Sequence, residues 1–171
     1  PHDATPDTLP LWLRDRAILE TMYACGLRAS ETATVLVDDL YFDLGFLKVT
    51  GKGDKQRIVP FGAPAEAALR TYLEECRPRL ARPGVADKGR VFLSRTGRPL
   101  ERVALWQIVK RNAAAAGVPD VHPHLLCHSS ATHLLSGRAD LRALQAMLGP
   151  ATITPTQIHT HVDPPRSPIH I

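Results

Sequence analysis

The spacing of apolar residues predicts that the folded part of the chain begins with helices. Apolar side chains recur at helical spacing over residues 11–24. Gly26 predicts the end of this helix, because glycine readily adopts the left-handed conformation that follows many helices. Ser30 is a candidate cap for a short second helix that continues to about Leu36.

The apolar spacing then changes to one typical of strands. Two short apolar segments, at 46–49 and 58–59, flank the Gly-Lys-Gly-Asp sequence at 51–54. Strands joined by a tight glycine-rich turn give this pattern, so we predict a hairpin here. Residues 41–42 predict a third, short strand.

Helical spacing returns in the second half of the chain. The predicted elements are a helix over 65–76 limited by Pro78, an irregular hairpin from 91–93 around Gly97, a helix over 101–116 closed by Gly117, and two further helices over 123–135 and 140–148. Prolines crowd the chain after Gly149 and argue against a long terminal helix. We therefore predict an α+β, mainly α, fold with helices around a small antiparallel sheet. We expect a linker at 1–10, one domain at 11–163 and a proline-rich tail at 164–171.

Composition restricts the class of protein. No apolar run approaches the roughly 20 residues that cross a bilayer. The three cysteines are widely spaced and odd in number, which argues against a disulfide framework and for a reducing compartment, so we expect a cytoplasmic protein. The net charge of +4 permits a polyanionic partner without requiring one.

Four sequence segments carry more specific information than the composition does. They are Gly-Leu-Arg-Ala-Ser-Glu at 26–31, Gly-Lys-Gly-Asp-Lys-Gln-Arg at 51–57, His-Pro-His-Leu-Leu-Cys-His at 122–128 with its continuation at 131–135, and Leu-Gly-Pro at 148–150 followed by 156–162. In this order, the four segments resemble those of the tyrosine recombinases and are similar to the bacterial Xer branch. The resemblance implies the catalytic-domain fold of that family over most of the chain.

The resemblance also implies a chemistry and a partner. Such proteins act on double-stranded DNA, where a tyrosine hydroxyl attacks a backbone phosphate, forms a 3′-phosphotyrosyl link and frees a 5′-hydroxyl. Two arginines stabilise charge on the phosphate oxygens, a lysine protonates the leaving oxygen, and histidines orient or assist. No cofactor and no metal are implied, and a second recombinase subunit is a possible further partner.

Three positions retain the residue that the family pattern requires. By the resemblance, Arg28 corresponds to the first phosphate-binding arginine, Lys52 to the general acid and His124 to the first histidine. Lys55 and Arg57 are candidates for contacts with the DNA backbone. The alternatives stay open: Arg28 can pair with Glu31 or another acid, and Lys52 can be an ordinary solvated lysine of a turn.

Three other positions depart from the family pattern. Cys127 stands where an arginine is expected, Pro150 where a histidine or tryptophan is expected, and His159 where the nucleophilic tyrosine is expected. Loss of one donor to the transition state typically lowers a rate about a hundredfold or more. The tyrosines of the chain, Tyr23, Tyr41 and Tyr72, all lie far upstream. We therefore expect a DNA-binding domain with impaired catalysis.

Two competing hypotheses remain. In one, the domain is an active strand-transfer enzyme that uses His159 or a tyrosine from a partner subunit. In the other, His124, Cys127 and His128 form a zinc site together with the nearby His122, because positions i, i+3 and i+4 share one helix face. Relatives grip DNA with an additional N-terminal domain, which this sequence does not contain. We therefore expect micromolar or weaker binding to DNA by this chain alone.

Overall fold

The computed structural model describes residues 8–117 of the chain. Most of the predicted linker at 1–10 lies outside these residues. The predicted helices at 123–135 and 140–148 and the predicted proline-rich tail lie entirely outside them. In order, the elements are α1 (Leu11–Cys25), α2 (Ala29–Thr34), β1 (Leu40–Tyr41), β2 (Phe46–Thr50), β3 (Gln56–Pro60), α3 (Gly62–Thr71), a π-helical turn (Tyr72–Cys76), α4 (Arg77–Leu80) and α5 (Arg102–Ala115).

Helix α1 forms the centre of the described part. Its side chains Ala17, Ile18 and Met22 are almost fully buried, and the helix packs against α2, α3 and α5. The helix ends where the glycine predicted it. Gly26 has a left-handed φ of 65°, and its N–H donates to the Met22 carbonyl at 3.0 Å. This turn directs the chain straight into α2.

The start of α2 differs from the prediction. The helix begins at Ala29 and ends at Thr34, so Ser30 lies inside its first turn and is not the cap. The cap is supplied instead by Glu31, whose side-chain Oε1 accepts the Arg28 backbone N–H at 2.9 Å. A glutamate at the third helical position can satisfy the amide before the helix in this way. Helix α2 is therefore capped by a residue of its own first turn.

The predicted hairpin and third strand form a three-stranded antiparallel sheet in the order β1-β2-β3. The predicted third strand is shifted by one residue, to Leu40–Tyr41. In β2, Leu47 and Val49 are buried while Lys48 between them points to the other face. This alternation is typical of a sheet with one face on the core. The register pairs Thr50 with Gln56, which places the turn at the far end from β1.

The helix predicted over 65–76 continues further than expected. It passes through the π-helical turn into α4, and Pro78 lies in the first turn of α4 rather than ending the helix. A proline there is tolerated because the first amides of a helical segment need no partner within it. The prediction that Pro78 limits this helix was wrong for that reason.

A tyrosine hydroxyl joins this helical run to the irregular hairpin. The Tyr72 hydroxyl donates to the Val91 carbonyl at 2.8 Å and accepts the Leu93 N–H at 3.2 Å. The hairpin closes as predicted, with Gly97 at φ 87° and a bond from the Leu100 N–H to the Phe92 carbonyl. Residues 91–93 are buried, so the hairpin is part of the core.

Candidate functional site

Arg28 lies between α1 and α2, directly after the left-handed turn at Gly26. Its neighbour Leu27 is fully buried and fixes the backbone there. The Arg28 side chain itself is exposed. Within residues 8–117 its guanidinium makes no hydrogen bond or ion pair. The structure thus presents a charged, bidentate group to solvent from a rigid stretch of backbone.

Lys52 lies at the tip of the hairpin. The turn is closed by a 2.7 Å bond from the Gly51 N–H to the Lys55 carbonyl. Gly53 and Asp54 both have positive φ, of 74° and 58°. Lys52 and Lys55 are exposed, and neither ammonium has an acidic partner in the described part of the chain. The turn therefore carries two cations that are available to an anion.

Glu31 connects the hairpin to the start of α2. Its carboxylate accepts two hydrogen bonds from the Arg57 guanidinium, at 2.5 Å to Oε2 and 3.2 Å to Oε1. Burial pushes the pKa of Glu31 upward. Hydrogen bonds from Arg57 and from the Arg28 backbone outweigh that effect, so its pKa lies below the ordinary value. Glu31 is therefore a partly buried anion that accepts hydrogen bonds from the Arg28 backbone and the Arg57 side chain.

Gly51, where β2 enters the turn, lies next to the same carboxylate. A Cβ added at Gly51 would lie 3.5 Å from Glu31 Oε2. The backbones that carry Arg28 and Lys52 thus meet at one side chain. The Glu31 carboxylate thus contacts the backbone at Arg28 and lies beside the residue that precedes Lys52. Glu31 binds the Arg28 backbone and the Arg57 side chain, not the Arg28 side chain.

Sequence reasoning considered Glu31 only as a possible partner for Arg28 and missed its part in joining two elements. The available signal was its place three residues after Arg28, where a glutamate commonly caps a helix. Arg57, predicted to contact DNA, has its guanidinium in the ion pair with Glu31 and remains nearly half exposed. The pairing of residues 26 positions apart could not be read from local patterns.

The remaining predicted site residues, His124, Cys127, Pro150 and His159, lie outside the described residues. The alternative zinc site lies there as well. Over residues 8–117 no group of three or more histidine, cysteine or acidic residues is placed to hold a metal ion. Over the same range, no helix has the length and apolar character needed to cross a bilayer.

The three tyrosines are not arranged as replacements for a nucleophile at the site. Tyr23 is buried, and burial with the nearby Glu20 raises its pKa to about 12. Tyr72 is fully buried, and burial raises its pKa well above the ordinary range. Tyr41 is exposed but pairs with Phe46, at the end of the sheet opposite to the Lys52 turn. The strand between them spans about 13 Å at the usual rise per residue.

The family model and the similar sequences that match this chain indicate the same protein family. The sequence model described as the phage integrase family matches residues 4–166. The chain is 49% identical over 154 residues to tyrosine recombinase XerD of Listeria innocua, covering 90% of this chain and 52% of the relative. It is 49% identical over 154 residues to tyrosine recombinase XerC of Bifidobacterium longum, covering 87% of this chain and 43% of the relative. The chain thus spans about half the length of these relatives.

Solved structures agree on the fold. The crystal structure of the XerA recombinase superposes with a TM-score of 0.62 at 21% identity, covering 94% of this chain and 61% of that one. The XerH site-specific recombinase bound to a palindromic difH substrate gives a TM-score of 0.61 at 28% identity, covering 93% and 45%. The predicted fold class, helices around a small antiparallel sheet, is confirmed by these likenesses.

Proposed function

The chain belongs to the phage integrase family, and from that membership we propose that it is the catalytic domain of a Xer-type tyrosine recombinase that binds double-stranded DNA. The observation that supports the proposal most is the contact of Glu31 with the Arg28 amide on one side and its closeness to Gly51, the residue before Lys52, on the other. We assign the domain to residues 11–163, between a linker at 1–10 and a tail at 164–171. A cytoplasmic location and a second recombinase subunit as partner follow from the same proposal.

The two described cations suit one phosphate group. The planar fork of Arg28 can bind two nonbridging oxygens at once, which a lysine cannot do. The Lys52 ammonium, on the adjacent turn, can donate a proton to a leaving 5′-oxygen. His124 is the third retained position of the same set. Relatives such as XerH are solved on DNA substrates, which supports DNA as the partner of this domain.

We further propose that this domain binds DNA but does not complete the reaction. Cys127 cannot supply a second guanidinium, Pro150 has no side-chain donor, and His159 replaces the phenol that forms the covalent link. The buried states of Tyr23 and Tyr72 support this, because neither hydroxyl can reach a phosphate without unfolding of the core around it.

A nicked suicide substrate tests the proposal. In such a duplex a short fragment diffuses away after cleavage, so that any covalent protein–DNA complex is trapped. The duplex carries a site that an intact Xer relative cleaves, and that relative serves as the positive control. We expect no covalent complex from this chain.

Two variants make the test decisive. The triple variant Cys127→Arg/Pro150→His/His159→Tyr restores the family residues and should form the covalent complex that the wild type does not. A complex formed by the wild type and lost in His159→Ala would instead establish an active enzyme with a histidine nucleophile. A complex that the wild type forms only when mixed with a tyrosine-bearing subunit would favour catalysis with a borrowed nucleophile.

A further inference from the structure

The ion pair between Arg57 and Glu31 joins two elements that are distant in sequence. Arg57 lies on β3, and Glu31 lies in the first turn of α2, 26 positions earlier. Both terminal nitrogens of the guanidinium donate to the carboxylate, one to each oxygen. A bidentate contact of this kind fixes the orientation of the two groups as well as their distance. The pair therefore sets where β3 lies relative to the start of α2.

The two partners of this ion pair differ in their exposure to solvent. The Glu31 side chain is 11% exposed, whereas that of Arg57 is 45% exposed. Without Arg57, the Arg28 amide would be the donor that remains to this shielded carboxylate in the described part of the chain. A shielded anion that loses a charged partner is destabilised more than an anion in open solvent. The Arg57 guanidinium is thus held in place by the needs of Glu31.

The pair lies directly beside the residue that leads into the Lys52 turn. A Cβ added at Gly51 would be 3.5 Å from Glu31 Oε2 and 3.9 Å from Arg57 Nη1. The Gly51 N–H also closes the turn, by its 2.7 Å bond to the Lys55 carbonyl. The exposed side chains of Lys52 and Lys55 are therefore carried by a turn whose base lies against this ion pair.

We infer that Arg57 is a positioning residue, which through Glu31 holds the turn of Lys52 beside the start of α2 and does not itself bind a DNA phosphate. This inference rests on the proposed function and replaces the expectation that Arg57 contacts the DNA backbone. A phosphate bound by both terminal nitrogens of Arg57 would have to displace the Glu31 carboxylate. That carboxylate would then lose its charged partner next to a second anion, which is doubly unfavourable.

The pair of Arg70 and Glu66 provides a matched control. The Arg70 side chain is 46% exposed, as Arg57 is, and its Nε donates to Glu66 at 3.0 Å. This pair joins positions i and i+4 of α3 and so links no second element to α2. Arg70 also lies over the Phe42 ring, beyond the end of the sheet that is opposite to the Lys52 turn. Arg70→Gln therefore removes the same charge without releasing the turn.

Amide hydrogen exchange of the full chain without DNA tests the positioning itself. In Arg57→Gln, the amides of residues 50–56 should exchange about tenfold or more faster than in wild type, because a bond to a charged group is lost. Arg57→Lys keeps the charge and should give intermediate rates. Arg70→Gln should leave these amides unchanged. The amides of α1 should exchange at the wild-type rate in all three variants, which excludes general unfolding.

Salt-dependent DNA binding separates positioning from direct contact. Fluorescence anisotropy with a labelled duplex is measured from about 50 mM to about 200 mM salt, and the slope of log K against log salt counts the phosphates contacted. Added to wild type or to Arg70→Gln, the change Lys52→Gln should lower the magnitude of the slope by about 0.9. Added to Arg57→Gln, the same change should lower it by well under half that amount, because the turn is already released.

The outcomes separate the inference from the proposed function. If Arg57 binds a phosphate of its own, the losses from Arg57→Gln and Lys52→Gln add to about 1.8. The inference is then overturned, and the proposed function stands. Unchanged exchange of residues 50–56 in Arg57→Gln overturns it as well, again without affecting the proposed function. If the wild type binds no DNA at all, both fail.

Discussion

The Glu31 carboxylate holds the backbone of Arg28 and the guanidinium of Arg57 at the same time. Three residues therefore decide how α2 and the hairpin meet, and a family pattern that marks Arg28 and Lys52 says nothing about the residue between them. From the sequence, these two cations could be proposed because their surroundings match a known family. The side chain that unites them could not, because its partner Arg57 lies on a different element.

Replacing Glu31 by glutamine should destabilise the protein by about 1–2 kcal/mol at neutral pH, since the charge-assisted bonds to Arg57 are lost. The pKa of Glu31 is lowered by folding, so its contribution is present above the ordinary carboxyl pKa and is lost as the pH falls through the folded value. Urea unfolding should show wild type and Glu31→Gln converging at acid pH. The exposed pair of Glu66 provides the control, and Glu66→Gln should cost about 0.5 kcal/mol or less.

The contribution of Glu20 to stability should depend on pH in the opposite sense to that of Glu31, because folding raises the pKa of Glu20. Burial raises its pKa from 4.5 to about 7, with Arg16 opposing, and its Oε1 has no hydrogen-bond partner among residues 8–117. The folded state therefore holds the proton more tightly than the unfolded chain, and stability is lost as the pH rises from 4.5 to about 7. In Glu20→Gln this loss is absent. Relative to wild type, the variant should gain on the order of 3 kcal/mol between about pH 4 and about pH 8. A difference in unfolding free energy that does not change with pH would contradict this.

At the scale of elements, most boundaries followed from local chemistry. Gly26 ended α1, and the Gly-Lys-Gly-Asp turn joined β2 to β3, because both depend on the conformational freedom of glycine. Two boundaries failed for tertiary or contextual reasons. The side chain of Glu31, not that of Ser30, caps α2. The π-helical turn before Pro78 accommodates this proline, so the helix continues. A proline identifies a possible end of a helix, but the residues that precede it decide whether the helix stops there.

The irregular hairpin offers a sharp test of packing against α4. Gly97 has φ 87°, and a Cβ there would lie 2.7 Å from the Leu80 carbonyl oxygen. Gly45 has φ 76° but meets nothing within 4 Å. Gly45→Ala should cost about 1–2 kcal/mol from backbone conformation alone. Gly97→Ala should cost at least about 2 kcal/mol more, because backbone atoms must also move. Equal unfolding free energies for the two variants would show that the hairpin does not press on α4.

At the scale of the whole molecule, the chain covers about half the length of its relatives, 52% of the Listeria innocua XerD for example. The fold class was predictable because the spacing of apolar residues shows the order of the helices and the hairpin. The arrangement of the candidate site residues was harder to predict. Arg28 and Lys52 could be placed from the structure, whereas His124 and the positions of Cys127, Pro150 and His159 remain sequence predictions.

Binding of this chain to duplex DNA should be weak and governed by phosphates. We expect a dissociation constant in the range of nonspecific contacts, about 10⁻⁶ to 10⁻⁴ M at physiological salt. Arg28→Ala should weaken binding of all sequences equally, since a phosphate contact carries no sequence information. Anisotropy titrations with a relative's recombination site and with a scrambled duplex provide the measurement. Nanomolar binding confined to one sequence would contradict the expectation.

The burial of two tyrosines in the core has a practical consequence for chemical labelling. Tyr23 and Tyr72 are inaccessible and poorly ionised, whereas Tyr41 is exposed on β1. A phenol-directed reagent such as a nitrating agent should therefore modify Tyr41 first in the native protein, as mass spectrometry of peptides would show. In Tyr41→Phe/His159→Tyr, the introduced phenol could then be followed without background from the described tyrosines. Because Tyr23 and Tyr72 are buried, labelling of that variant would report on the residue introduced at position 159.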